Sequence, residues 1–351
     1  MKPNPFLATA TMVCLMVLSA CGTAPAAKEA PPQIAAALPV WPSPPAPARV
    51  KYVRDIRTAQ DWGIEKSVFR RLLDTLLGSG NEAFVRPTGV AQFEQVLYVA
   101  DAGAKALWIL DAQRNQLHKV QRPGDEQLMS PVAVAVRPDG AVYLADSALK
   151  KVFLIDRDGK LLSTAASNSW QRPAGLAYDA QRQRLYVADS AGQKIVVLAP
   201  DGSVVKSWGH AGKGDGEFNF PTHLALDAAG TLLVTDALNF RVQAFDPDGR
   251  FLWKFGHHGD ASGDVSSPKG VAFDRDGHVL LVDALFDVVQ VFDRNGRLLL
   301  GFGDHGTLPG QFWLPAGLFI NPRNEVYVAD AYNQRIQVLT VVADADVKEI
   351  Q

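Results

Sequence analysis

Five of the seven histidines in this sequence are spaced so that they could act at one site. His210, His257, His258 and His305 lie in three similar glycine-rich segments, and His223 begins a nearby apolar run. Neutral imidazoles bind zinc and similar metals, and three of them around an open position support hydrolytic or lyase chemistry. Glycine-rich segments are expected to be mobile and to hold metal ligands poorly, so polar loop residues are the simpler interpretation. We therefore predict five ligand-binding candidates and keep a bound metal as the less favoured alternative.

Aspartate recurs at the end of six apolar runs, and such a ring of carboxylates could bind a cation. A basic residue follows five positions later in four of these cases, which favours a structural ion pair across a short hairpin. The four predicted pairs are Asp146–Lys151, Asp189–Lys194, Asp236–Arg241 and Asp330–Arg335.

Motifs with a defined catalytic role are missing from the sequence. It contains no Gly-x-Ser-x-Gly elbow, no His-Glu-x-x-His, no phosphate loop and no Cys-x-x-Cys. The formal net charge is −2, and no basic stripe stands out, so nucleic acid is not an expected partner. No catalytic residue is predicted.

The candidate residues belong to six repeats that share the same order of features. The repeat from Pro221 to Gly259 contains four β-rich runs separated by turn residues, which predicts a four-stranded antiparallel meander. A period of about 45 residues with four strands is typical of β-propeller blades. The sequence therefore predicts an all-β, six-bladed propeller. Its repeats open at Pro87, Pro131, Pro173, Pro221, Pro268 and Pro315.

The repeated motif, Pro-x-Gly-Val-Ala followed by Tyr-Val-Ala-Asp and then Asn-x-Arg, resembles the NHL repeat family. The repeats with Asn239 and Asn333 match it fully, whereas the fifth repeat has Phe286 and Val288 in place of Asn and Arg, and the first also diverges. The resemblance covers Val50 to about Val342. It implies a binding or scaffolding module, and the similar architecture of amidating lyases and lactonases implies a metal-dependent lyase or hydrolase as the alternative.

Two segments outside the repeats complete the predicted domain, which covers residues 50–342. Val50 to Ile56 reads as a spare strand, and the last repeat supplies only three strands before a polar tail at residues 343–351. Pairing the two would close the ring and remove two exposed edges. Residues 64–77 carry a helical apolar stripe and predict one inserted helix on the rim, with a partner-docking helix or a lid as alternatives.

The N-terminal residues 1–20 end in Leu-Ser-Ala before Cys21 and resemble a bacterial lipoprotein signal peptide. The apolar run is short for a membrane span, although an uncleaved anchor helix is the alternative. Cleavage would leave lipidated Cys21 as the only cysteine, so no internal disulfide is expected. Residues 21–49 are rich in Ala and Pro and predict a tether.

These features together predict a monomeric propeller anchored in the bilayer through acylated Cys21. We expect it at the outer membrane facing the periplasm, or at the cell surface. The favoured function is binding of an envelope protein or a small ligand, without a required cofactor and without catalysis. The long connections between repeats, which carry the histidines, are the expected working face because functional variation concentrates in long loops.

Overall fold

The computed structural model describes residues 38–65, 82–166 and 170–342, and the regular structure in these ranges is almost entirely β-strand. The chain first forms β1 (Val40–Trp41) and β2 (Val50–Ile56), followed by a 3-10 turn at Gln60–Trp62. The predicted signal peptide, Cys21, the tail and most of the predicted helix lie outside the described residues. No described helix is both long enough and apolar enough to span a bilayer.

The first three blades follow in chain order, each with four strands. Their bounds are β3 (Pro87–Phe93), β4 (Val96–Asp101), β5 (Ala106–Asp111), β6 (Gln116–Val120), β7 (Pro131–Val136), β8 (Val142–Asp146), β9 (Lys151–Ile155), β10 (Leu161–Ala166), β11 (Pro173–Asp179), β12 (Arg184–Asp189), β13 (Lys194–Leu198) and β14 (Val204–Trp208).

The last three blades repeat the pattern, and one further 3-10 turn lies at Ala237–Asn239. Their bounds are β15 (Pro221–Leu226), β16 (Leu232–Asp236), β17 (Arg241–Phe245), β18 (Phe251–Phe255), β19 (Pro268–Phe273), β20 (Val279–Asp283), β21 (Val288–Phe292), β22 (Leu298–Phe302), β23 (Pro315–Ile320), β24 (Glu325–Asp330) and β25 (Arg335–Val341).

The predicted six-bladed propeller is confirmed. Each blade is an antiparallel sheet, with its strands in chain order in the first five blades and with β1 and β2 added outside β25 in the sixth. Each innermost strand opens with the repeat proline, a residue tolerated at the first position of a strand. The six innermost strands contact one another in a ring around the central axis. Closure also occurs as predicted, because β2 pairs antiparallel with β25 from Val50 opposite Val341 to Ile56 opposite Ile336.

The apolar core lies between neighbouring blades rather than inside any one of them. Every residue of β4 and β5 is buried, whereas the outermost strand β6 is only partly covered. This gradient arises because a middle strand has a blade on each face, as in other repeat architectures where each unit buries its surface only against its neighbours. Every interface between neighbouring blades therefore contributes to stability, including the one between the sixth blade and the first.

The folded domain begins earlier than the predicted boundary at residue 50. Val40 and Trp41 add a fifth strand to the closing sheet, opposite Lys51 and Val50. Trp41 also packs on Phe302 of the preceding blade, with ring centroids 5.7 Å apart. The predicted tether at 21–49 is thus corrected at its C-terminal end, because burial of the Trp41 ring offsets the poor strand propensity of the surrounding prolines.

Candidate functional site

The order of the strands separates two kinds of loop onto two faces of the ring. The connections between blades and the turns between second and third strands lie on one face, here called the connection face. The short turns between first and second strands and between third and fourth strands lie on the other, here called the turn face. All five candidate histidines belong to the connection face or to the channel beneath it.

The ring of six aspartates is not an open cation site. Each of these carboxylates is fully buried and accepts at least one backbone N–H from the connection that precedes its blade. Asp146, for example, accepts two such bonds, from Met129 and Ser130, and two more from Ala148 and Leu149 in the turn that follows it. The aspartates therefore fasten each connection to the following blade.

Two of the four predicted ion pairs form and two do not. Arg241 Nε lies 2.8 Å from Asp236, and Arg335 Nε lies 2.7 Å from Asp330. The prediction is wrong for Lys151, whose ammonium binds both oxygens of Glu126 at 2.7 and 2.8 Å. It is also wrong for Asp189 and Lys194, which make no ion pair. Backbone N–H groups already occupy these two carboxylates, and a lysine lacks the planar fork of arginine.

The paired arginines also hold the long connections in place, contrary to the expectation that these segments are mobile. Arg241 donates to the carbonyl oxygens of Lys213, Gly214 and Glu217 at 2.7 to 2.9 Å. Arg335 makes the equivalent bonds two connections further on. One planar guanidinium thus joins a buried carboxylate to three carbonyls, which fixes the path of a glycine-rich loop.

A glutamine two positions after the arginine position provides a second brace in the last three blades. Gln243 accepts from Gly216 N at 3.0 Å and donates to Glu217 O at 2.8 Å. Gln290 and Gln337 repeat this pair of contacts on the next two connections. The equivalent positions of the first three blades hold Trp108, Phe153 and Val196.

The histidines of the connections each contact a different local partner. His210 and His257 are three-quarters exposed and lie 3.3 and 2.5 Å from the carboxylates of Glu217 and Asp264, respectively. His258 packs on the ring of Phe240, with centroids 4.3 Å apart. No three of the five histidines bring ring nitrogens within 4.8 Å of one another, so the structure does not assemble from them the metal site that was the less favoured alternative.

His305 has the most defined environment of the exposed histidines. Its Nδ1 lies 2.7 Å from a carboxylate oxygen of Asp287, and the other oxygen of Asp287 accepts from Leu314 N at 2.6 Å. The Asp287 side chain is nearly buried, so the imidazole is oriented with its proton on Nδ1. Sequence reasoning missed Asp287, although it is the only carboxylate at its position among the six repeats.

The one described group of three potential metal ligands lies on the turn face. It consists of Asp274, Asp276 and His278. Asp274 accepts from the backbone N–H groups of Asp276 and His278 and contacts the His278 ring at 2.9 Å. Asp227 and Asp293 bond their own turns in the same way. The group is therefore explained by a turn motif that the repeats share, and it establishes no cofactor.

His223 and Lys269 lie on neighbouring innermost strands, near the end of the channel that opens on the connection face. His223 is the third residue of β15, and its Nδ1 lies 3.1 Å from the Thr222 hydroxyl. Burial, and then the charge of Lys269, lower the pKa of His223 from 6.5 to about 3. Burial also lowers the pKa of Lys269.

The innermost strands of neighbouring blades pack closely around His223 and Lys269. At Gly89, Gly175, Gly270 and Gly317, a Cβ atom would lie 2.3 to 2.8 Å from the backbone of a neighbouring blade. Four of the positions equivalent to His223 are therefore glycine, and the fifth is Ala133. Sequence reasoning missed Lys269, although the residue after the repeat proline is Thr, Val or Ala in every other blade.

Large apolar side chains cluster on the connection face of the last three blades, whereas the first two blades show single exposed residues at Val85 and Met129. We call this cluster the apolar crescent, and its members are 37% to 62% exposed. Trp313 lies between Tyr332 and His305, at ring-centroid distances of 5.8 and 5.9 Å. The repeat position held by Leu238, Leu285 and Tyr332 is Gly103, Ala148 and Ala191 in the first three blades. The crescent consists of Leu238, Leu285, Phe286, Trp313, Leu314 and Tyr332.

Comparison with solved structures shows which proteins share this fold. The structure superimposes on virginiamycin B lyase from Staphylococcus aureus with a TM-score of 0.56 and 14% sequence identity. The superposition covers 74% of this chain and 96% of the lyase chain. It also matches a chain of a nidogen/laminin complex, with a TM-score of 0.50, 18% identity and coverage of 63% and 82%. At these identities the likeness concerns the fold alone.

The NHL repeat model matches residues 312–339, within the last blade and the connection that leads into it. The protein is therefore a six-bladed β-propeller that carries an NHL repeat. Among curated proteins it resembles peptidylglycine alpha-amidating monooxygenase of Rattus norvegicus, with 28% identity over 133 residues. That match covers 34% of this chain and 14% of the relative, so the chain spans a small part of the relative's length.

Proposed function

We propose that this protein is a binding propeller that takes an amphipathic ligand on its connection face, with the apolar part of the ligand on the apolar crescent. The carrying observation is the asymmetry of that face. Six large apolar side chains are exposed together on three blades, and the turn position held by Leu238, Leu285 and Tyr332 is glycine or alanine in the other three blades. Exposed apolar clusters of this kind mark interaction sites, since they are costly to leave in water.

The braced connections support the same proposal. Arg335 and Gln337 hold the connection that carries Trp313 and Leu314, so this part of the crescent is arranged before a ligand arrives. A preorganised surface avoids the entropy cost of ordering loops during binding. Binding is favoured over a metal-dependent lyase or hydrolase because the described metal-ligand group belongs to a turn motif on the opposite face.

The comparisons are compatible with this class of function. One of the similar structures is a catalytically inactive virginiamycin B lyase with quinupristin, and another is a nidogen/laminin complex. The fold thus occurs in proteins that hold a small molecule or another protein. The proposal retains the sequence-based expectation that Cys21 anchors the domain at a bacterial envelope membrane, which places the ligand in that compartment.

Nile red, a neutral apolar dye, tests the crescent directly. We expect the Leu285→Ser/Tyr332→Ser variant to bind the dye at least about fivefold more weakly than the wild type, because two large exposed contacts are removed. The matched control is Leu252→Ser/Leu299→Ser, which removes two exposed leucines from outermost strands. Equal losses in the two double variants, or no saturable binding to the wild type, would contradict the proposed function.

A further inference from the structure

Lys269 is a half-buried cation with no partner for its charge. Among the residues that the structure describes, no carboxylate lies within 4.0 Å of its ammonium, and its side chain makes no hydrogen bond. The other blades place Thr88, Val132, Ala174 and similar small residues at this position. A lysine is therefore not required by the packing of the ring, and its partial desolvation disfavours the charged form.

The charged and titratable groups near Lys269 do not neutralise the charge of its ammonium group. Asp283 attracts it, but the Asp283 carboxylate is fully buried and accepts from Ser266 N, Ser267 N and Leu285 N at 2.7 to 3.1 Å. His223 on the neighbouring strand is neutral at physiological pH. The channel thus holds an underneutralised positive charge, and an anion entering from solvent would relieve it.

Lys269 also lies close to the apolar crescent along the backbone. Leu285 N bonds Asp283, which in turn bonds Ser267 N, and Ala284 N bonds Ser267 O at 3.0 Å. Ser267 precedes Lys269 by two residues, and a strand advances about 3.3 Å per residue. A small molecule on Leu285 and Phe286 therefore needs to reach only a short distance into the channel to meet Lys269.

We propose that the Lys269 ammonium, with His223 beside it, binds the carboxylate of a ligand whose apolar group lies on the apolar crescent. This inference rests on the proposed function and names the ligand class, an apolar monocarboxylate. Charge-assisted hydrogen bonds to carboxylates are strong where water is partly excluded. In the tautomer in which the Thr222 hydroxyl donates to His223 Nδ1, the ring proton lies on Nε2, and Nε2 is then a second donor for the anion.

Such a carboxylate has two chemical sources, a free organic acid and the C-terminus of a peptide. Calorimetric titration with two matched pairs distinguishes them: 3-phenylpropionate against 3-phenylpropionamide, and N-acetyl-Gly-Phe against its C-terminal amide. In at least one pair, we expect the wild type to bind the acid about tenfold or more tightly than the amide, since only the acid pairs with the ammonium. The pair that shows the preference identifies the source.

Lys269→Met is expected to remove the preference for the acid while changing the affinity for the amide less than twofold. Lys269→Arg is expected to restore part of it. Lys254→Met, which removes an ammonium paired with Asp215, is the matched control and should keep the preference. Unchanged unfolding temperatures verify that the variants fold.

The outcomes separate this inference from the proposed function. Acid and amide of equal affinity in both pairs, no binding of either acid, or an undiminished acid preference in Lys269→Met would overturn the Lys269 inference. In each of these cases, saturable Nile red binding that depends on Leu285 and Tyr332 would leave the proposed function standing. Loss of the dye result would overturn the proposed function itself.

Discussion

The guanidinium of Arg335 lies 2.8 Å from the carboxylate of Asp55, which joins the last blade to the closure strand across 280 residues of chain. Arg335 is 1% exposed and also pairs with the buried Asp330. Removing it leaves a buried carboxylate without its cation, so we expect Arg335→Met to lower the free energy of unfolding by about 3 to 5 kcal/mol. Urea titration measures this.

The control for Arg335 is Arg250→Met, because the Arg250 side chain is 81% exposed and its ion pair is long, at 3.9 Å. We expect this variant to change the free energy of unfolding by less than about 0.5 kcal/mol. Asp55→Asn should fall between the two. Similar losses for Arg335→Met and Arg250→Met would show that the buried network does not stabilise the closure.

Ring closure by β2 is predicted to be essential for a monomeric fold. A chain that starts at Thr58 lacks β1 and β2 and leaves the edges of β25 unpaired, which favours aggregation. A chain that starts at Leu38 keeps both strands and is the control. Size-exclusion chromatography and thermal unfolding measure the result. A monomeric, equally stable Thr58 truncation would contradict the role of β2.

The glutamine brace is predicted to restrain the long connection that leads into the fifth blade. Gln290→Leu removes the acceptor for Gly263 N and the donor to Asp264 O. We expect about fivefold faster amide exchange at Gly263, since one hydrogen bond with its partner contributes about 1 kcal/mol. Gln181→Leu, which removes an exposed bond to Ala228 O, is the control. Unchanged exchange at Gly263 would mean that the other hydrogen bonds of this connection suffice to hold it.

His223 is predicted to make the fold acid-sensitive. In the unfolded chain its imidazole gains a proton near pH 6.5, whereas in the folded protein its pKa is about 3, so only the unfolded chain binds the proton between these values. Stability is therefore present above pH 6.5 and is lost as the pH falls toward 3. At pH 4.5 we expect His223→Gln to recover about 2 kcal/mol of this loss, less than the full linkage because the His223 side chain is only partly buried.

Urea unfolding at pH 7.5 and pH 4.5 measures the effect, and the difference between the two pH values cancels the direct cost of the substitution. His257→Gln is the control, because that side chain is three-quarters exposed. The same pH dependence in the wild type and His223→Gln would show that the channel imidazole is not the responsible group.

Membrane attachment is predicted to depend on Cys21 alone. Cys21→Ser removes the thiol that a lipoprotein signal presents for acylation, so metabolic labelling with palmitate and membrane fractionation should both become negative. The folded domain should be unaffected, because the described fold begins at Leu38. The control variant is Ser19→Ala, which keeps Cys21 and should remain acylated. Acylation of Cys21→Ser would contradict the lipoprotein interpretation.

The amino-acid sequence determined the architecture, because the signals for it are local and repeated. A proline opens each innermost strand, an aspartate ends each second strand, and short turns set the register, so six similar units specify the ring and the spare strand specifies its closure. The paired Asp236 and Arg241 could be predicted for the same reason, since both residues belong to one hairpin.

Only the tertiary structure decided which side chains meet between repeats. Lys151 pairs with Glu126 from a preceding connection, and His305 pairs with Asp287 from the blade before it. The approach of Lys269 to His223 and the assembly of the apolar crescent likewise depend on the curvature of the closed ring. Local propensity carries no information about such contacts, because they join residues of different strands and connections whose distance is fixed only when the connections pack on the blades and the blades on one another.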